Sequence, residues 1–254
     1  MTYSSGGIET HPEGRRCAAI ALGIFVIAIG SGGLFRYLPS PVSTLTWKMF
    51  WIALCLVGIR WAHHSGPWAA LGQLGLRGSA GQGMTFGFLV SMPMLATFTL
   101  TSNRNPHLEA APLMMTGIVT PLSEELLFRG YVFLQLYRRA GWPFAAAVAA
   151  TASVFGLAHL GSLAGRASLI HVAAEVGMIA AGGAFYAWLL VRWRDNLWVP
   201  IALHAFMNLW CEVYACDERS GDWRTNAGRV LTTATAVAVT VVLNRRQGVQ
   251  TRAA

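Results

Sequence analysis

Eight stretches of roughly 20 predominantly apolar residues, the length a helix needs to cross a bilayer, fill most of this chain. They lie at about 17–35, 46–62, 82–101, 111–136, 143–161, 168–191, 197–215 and 228–243. Without water in the hydrocarbon, each spanning segment must satisfy its own backbone, so runs of this length read as helices. Only 12% of residues are Asp, Glu, Lys or Arg and 54% are apolar, which leaves too little polar surface to cover such a chain in water. Trp61, Trp142, Trp193 and Trp198 stand where apolar runs end, as in an interfacial belt. The expected fold is an all-α integral membrane protein, a bundle of about eight transmembrane helices with its active site inside the bundle. A single polytopic domain at 17–244 would carry cytoplasmic tails at 1–16 and 245–254.

The formal charge of +8 does not point to nucleic acid, because the basic residues stand singly or in pairs between apolar runs and form no dense patch. Lys48 is the lone lysine, an arginine-for-lysine bias that suggests a GC-rich, bacterial genome. Cys17, Cys55, Cys211 and Cys216 have no metal-type spacing and read as apolar filler rather than as a disulfide framework. The polar start of the chain ends in Arg15 and Arg16, and the following run is long enough for a retained anchor. Counting loop arginines places both termini in the cytoplasm, with Arg60, Arg77, Arg138, Arg139, Arg192 and Arg194 on that side. Lys48 counts with Arg36, Arg104, Arg166 and Arg219 on the other side. No internal repeat of the transporter kind is visible.

An ionisable side chain inside hydrocarbon costs at least about 2.5 kcal/mol, so those that remain usually face the bundle and have a function. Here they are Glu124, Glu125, Arg129, His159, His171, Glu175 and His204. Glu125 and Arg129, at i and i+4, share a helix stripe and are expected to pair. Glu124, about 100° around the same helix, is then the free carboxylate. Pro121 either opens a new helical segment capped by Thr120, with Glu124 near its positive end, or kinks one continuous helix.

Phe155 and His159 are spaced i, i+4, as are His204 and Asn208. An imidazole beside a carboxylate can polarise a water, while a second imidazole and a carboxamide can donate to a developing oxyanion, the two parts that peptide hydrolysis needs. Glu124, His159 and His204 would equally make a His/His/Glu site for a divalent metal such as zinc, although no HExxH is present. His171 has no motif around it and reads as a packing residue, and Glu175 has no assigned function.

Three motifs in order, Glu124-Glu125-x-x-x-Arg129, Phe155-x-x-x-His159 and His204-x-x-x-Asn208, resemble those of the CPBP family of intramembrane proteases. That family includes CAAX-protease and bacteriocin-processing enzymes and the eukaryotic prenyl-protein endopeptidases. The likeness covers about 110–212 and extends to the stretch Asn196 to His204. It implies an eight-helix bundle in which Glu124 and His159 activate water while His204 and Asn208 stabilise the oxyanion. Glu125, Arg129 and Phe155 are supporting residues. The implied substrate is a membrane-associated protein or peptide, and the implied location is a bacterial inner membrane. Two other functions fit a polytopic chain with buried carboxylates: a non-catalytic scaffold or immunity protein of the same descent, and a proton-coupled transporter using Glu124 and Glu175.

Overall fold

The computed structural model describes residues 12–40, 42–64, 66–160, 168–214, 216 and 223–250, and among these there is no strand. The chain before Pro12, Arg166, Arg219 and the residues after 250 lie outside them. Helix α1 is Pro12–Gly30, prolonged by the turn Gly32–Phe35; α2 is Val42–His63, α3 the short Pro67–Gln73, and α4 Ala80–Thr101. Helix α5 runs over residues 110–139 and is irregular: Ala110–Met114 and Thr120–Glu125 are α-helical, whereas Met115–Val119, Leu126–Phe133 and Gln135–Arg139 are π-helical. Then follow α6 (Phe144–Leu157), α7 (Leu169–Arg192), α8 (Trp198–Val213) and α9 (Trp223–Gln250).

Each of the eight apolar runs thus coincides with a helix, and the protein is an all-α membrane protein. By length and composition five helices can cross a bilayer unaided: Pro12–Phe35, Val42–His63, Ala80–Thr101, Leu169–Arg192 and Trp223–Arg246. Val26, Val57, Leu89 and Leu100 point outward on these helices, while Glu124, Glu125, Arg129 and Lys48 are buried. Apolar outside and ionic inside is the arrangement a bilayer demands. The helix α3 is an addition to the sequence expectation: Pro67 opens it and it ends at a glycine with φ of +78°, Gly75.

Small residues set the helix spacing around the interior, as expected where lipid provides no hydrophobic drive and close approach must do the work. Gly83 and Gly87 lie one turn apart on α4, directly against the backbone of Trp198 and Ala202 on α8. A Cβ at Gly87 would stand 2.6 Å from the Ala202 carbonyl carbon. Gly156 brings α6 onto the Val176 carbonyl of α7 in the same way. The start of α8 is fixed by Asn196, whose side-chain oxygen accepts from the Trp198 amide (3.2 Å) while its amide donates to the Ser79 carbonyl (3.2 Å). The entry and the packed face of α8 therefore both tie it to α4.

The structure decides between the two readings of Pro121. Thr120 has helical φ and ψ, no side-chain cap precedes Pro121, and α5 is continuous through it. The cap reading does not hold, so Glu124 gains no exposed helix N-terminus. The missing proline N–H is absorbed by the preceding π turn, a device that recurs at functional sites.

Candidate active site

Helix α5 passes through the bundle interior and carries two carboxylates that face different neighbours. Glu125, with no exposed side-chain surface, receives NH1 of Arg129 at 3.2 Å and lies 2.8 Å from Nδ1 of His204 on α8. Arg129 is itself enclosed: its guanidinium stands 4.3 Å from the centre of the Phe155 ring and 5.5 Å from that of Tyr186. Tyr186 stacks on His204 at 16° between planes. A carboxylate, a guanidinium and an imidazole thus lock α5, α7 and α8 together.

Glu124 faces the other way and is not free. Its Oε1 accepts from Nζ of Lys48 on α2 at 2.7 Å, and both side chains are buried. This corrects the assignment of Lys48 to an outer loop as well as the reading of Glu124 as an unpaired carboxylate. The Lys48 ammonium also lies 4.2 Å from the Trp51 ring centre and 5.4 Å from that of Trp47.

His159 lies just past the end of α6, in a turn whose amide bonds the Gly156 carbonyl. Its Nδ1 is 2.7 Å from the Phe155 carbonyl oxygen. A carbonyl only accepts, so Nδ1 carries the proton and Nε2 is the basic nitrogen. The same reasoning, with ionised Glu125 as acceptor, places a proton on Nδ1 of His204 and leaves Nε2 toward the interior.

Asn208 donates through Nδ2 to the Thr116 carbonyl at 3.1 Å. That oxygen has lost its helical partners. The Thr120 amide bonds Met115 in the π pattern, and the next donor in that pattern would be the N–H that Pro121 lacks. One of the two Asn208 amide protons therefore completes the irregular backbone, and the other is available to a ligand.

His171 lies apart from this cluster. It is exposed and bonds Ser168 at 2.7 Å, so it is a surface residue rather than a packed one. The four cysteines are free thiols. Among the described residues no three His, Cys, Asp or Glu side chains converge as metal ligands. The Lys48 ammonium occupies the Glu124 carboxylate at 2.7 Å, while an Nδ1 bonded to a carbonyl or carboxylate is the arrangement that also orients a histidine toward a metal through Nε2.

Residues 106–210 match the family described as type II CAAX prenyl endopeptidase Rce1-like. The match starts just before α5 and ends in α8, so it takes in all three motifs. This segment is thus similar to the CPBP family whose motifs it carries. A Bacillus subtilis (strain 168) protein named "Putative membrane peptidase YdiL" is 33% identical over 103 residues, which is 40% of this chain. The chain spans 36% of that relative's length. No solved structure matches.

Two residues of the cluster escaped sequence reading. Lys48 lies near the start of an apolar run and outside the family segment, and its only signal was being the sole lysine. Tyr186 is one aromatic among several on α7, and nothing in the sequence sets it apart from Phe185 or Trp188.

Proposed function

We propose that this chain is an intramembrane endopeptidase that hydrolyses a peptide bond of a membrane-associated protein or peptide, using water activated by its own side chains. The observation that carries the reading is the burial, side by side on an irregular stretch of α5, of Glu124 paired to Lys48 and of Glu125 bonded to His204. Hydrocarbon makes such a gathering costly unless it is used.

Glu124 and the Nε2 of His159 are the two candidate bases for the proton of the attacking water. The second amide proton of Asn208 faces the carbonyl oxygen as negative charge develops there. His204 joins it as a donor through Nε2 when its ring carries a second proton, with Glu125 behind Nδ1 as counter-charge. Glu125 and Arg129 hold His204 and do not touch substrate. Phe155 supports Arg129 and His159 from α6. The metal alternative, with Glu124, His159 and His204 as ligands, would require Lys48 to withdraw from Glu124.

In orientation, we place both termini in the cytoplasm of a bacterial inner membrane, which reporter fusions to each terminus test. The function itself is tested without knowing the substrate. Chain ends across the membrane proteome are compared in cells carrying the wild type or Glu124→Gln. New ends that appear only with the wild type identify the substrate and its cleavage position. Identical ends in both strains reject the peptidase and leave the scaffold reading. Proton-coupled uptake into vesicles, lost in Glu124→Gln, would instead establish the transporter.

A further inference from the structure

The buried pair of Lys48 and Glu124 has no counterpart in the three motifs, and Lys48 belongs to a helix that precedes the family segment altogether. We propose that Lys48 is a positioning residue for Glu124. It holds one carboxylate oxygen, supplies the counter-charge inside the bundle, and leaves the other oxygen directed at the water that attacks the substrate. This rests on the peptidase reading above.

Several observations support it. The contact joins α2 to α5 over 76 positions of sequence, so it is made only when the two helices are docked. The ammonium is held in place before it meets the carboxylate. Trp51 lies beneath it at 4.2 Å and is fixed by its own indole N–H to the Ala28 carbonyl at 2.8 Å. Trp47 borders it at 5.4 Å, with its indole N–H on Ser31 Oγ at 2.9 Å. Helix α1 thus braces the two aromatic walls, and the cation points across the gap to α5.

The residue type matters too. An ammonium is a compact charge that can hold a single oxygen, whereas a guanidinium presents a fork that engages both. Every other basic side chain of this protein is arginine or histidine, and the single lysine is the one that meets Glu124. For stability alone, a buried ion pair is no better than apolar packing of similar volume.

The experiment uses the full-length protein, purified in lipid, on the substrate identified from the chain ends. Lys48→Met, Lys48→Gln, Lys48→Arg and Glu124→Gln are compared with the wild type, and kcat is expressed per folded molecule from monodisperse fractions. Lys48→Gln keeps a hydrogen-bond donor toward Glu124 and guards against a failure of Lys48→Met to fold. The expected result is a kcat lowered by about 30-fold or more in both neutral variants with KM changed less than about threefold, the pattern of a group needed in the transition state. Lys48→Arg should recover activity to within about tenfold of the wild type, because it restores the charge but not the single-oxygen geometry. A purely structural role would lower the yield of folded protein and leave kcat per molecule intact. Neutral variants with kcat within about threefold of the wild type, while Glu124→Gln is inactive, overturn the proposal and spare the peptidase reading. Absence of any Glu124-dependent cleavage overturns both.

Discussion

Glu124 and Glu125 are neighbours in sequence and both are buried, yet they belong to different parts of the protein. Glu125 is bound within its own helix by Arg129 and to α8 by His204, all inside the segment that matches the family. Glu124 turns toward α2 and meets Lys48, in a part of the chain that the match does not reach. A rotation of about 100° per residue is enough to send adjacent side chains to different helices. The difference shows how one helix can carry a structural charge cluster and a chemical one side by side. On the Glu125 side, Oε1 meets both Arg129 and His204, while Oε2 and the second Arg129 amino group are buried without a hydrogen-bond partner. On the Glu124 side, one carboxylate oxygen meets the Lys48 ammonium across the gap to α2.

The sharpest way to break this comparison is to neutralise each carboxylate in turn. Glu124→Gln keeps an oxygen for the Lys48 ammonium but removes its counter-charge, so some stability is lost here too, while loss of the base should reduce kcat per folded molecule by about 10²- to 10⁴-fold. Cleavage rates beside size-exclusion profiles check it. Retained turnover in a folded Glu124→Gln protein would move the chemistry elsewhere.

Glu125→Gln should lower stability and largely spare kcat per folded molecule. Removing one partner of a buried pair costs about 3 to 5 kcal/mol, because Arg129, only 2% exposed, is left with an uncompensated charge. Thermal unfolding in lipid and the yield of monodisperse protein report it. Wild-type stability together with lost activity would exchange the roles of the two glutamates.

How far the sequence carried this picture depends on the kind of signal. The helices were legible because apolar runs of membrane length have few alternative structures, and each run coincides with a helix. The pairing of Glu125 with Arg129 was legible from spacing alone, since i and i+4 side chains meet on any regular turn. Lys48 was not legible, because an ionisable residue a few positions inside an apolar run has the same local pattern as a loop residue. Only the docking of α1, α2 and α5 shows it to be buried. The end of α6 before His159 and the π turns of α5 also depend on packing and on where backbone partners are found, which local composition does not encode.

Asn208 offers a smaller test that reaches both sides of the comparison. Asn208→Ala removes a donor to the developing oxyanion and should lower kcat by about a hundredfold with little change in substrate binding. It also leaves the Thr116 carbonyl without its donor, which should cost about 1 to 3 kcal/mol of stability. Replacing Pro121 by Ala in the same protein returns a backbone N–H to that region. It should restore part of the stability and none of the turnover. Recovery of turnover along with stability would mean that Asn208 acts only by shaping α5.

The smallest effect is expected at an ion pair outside both carboxylate environments. Arg138, at the end of α5, reaches Asp195 in the turn before α8 through two contacts of 3.1 and 3.0 Å. Both side chains are partly exposed, 42% and 31%, so water and salt compete for them. Such pairs contribute about 0 to 1 kcal/mol, even with forked geometry. Asp195 has a positive φ of 59°, a conformation that asparagine adopts at least as readily, so Asp195→Asn removes the charge without straining the turn. The expected outcome is a stability loss below about 1 kcal/mol that shrinks further in high salt, with kcat and KM unchanged. The entry of α8 should hold because Asn196 and the contact of α4 with α8 fix it independently. A fall in kcat in Asp195→Asn, read at constant folded fraction, would show that the end of α5 communicates with Glu124 and Glu125, and that the division between the two carboxylates depends on more than their immediate partners.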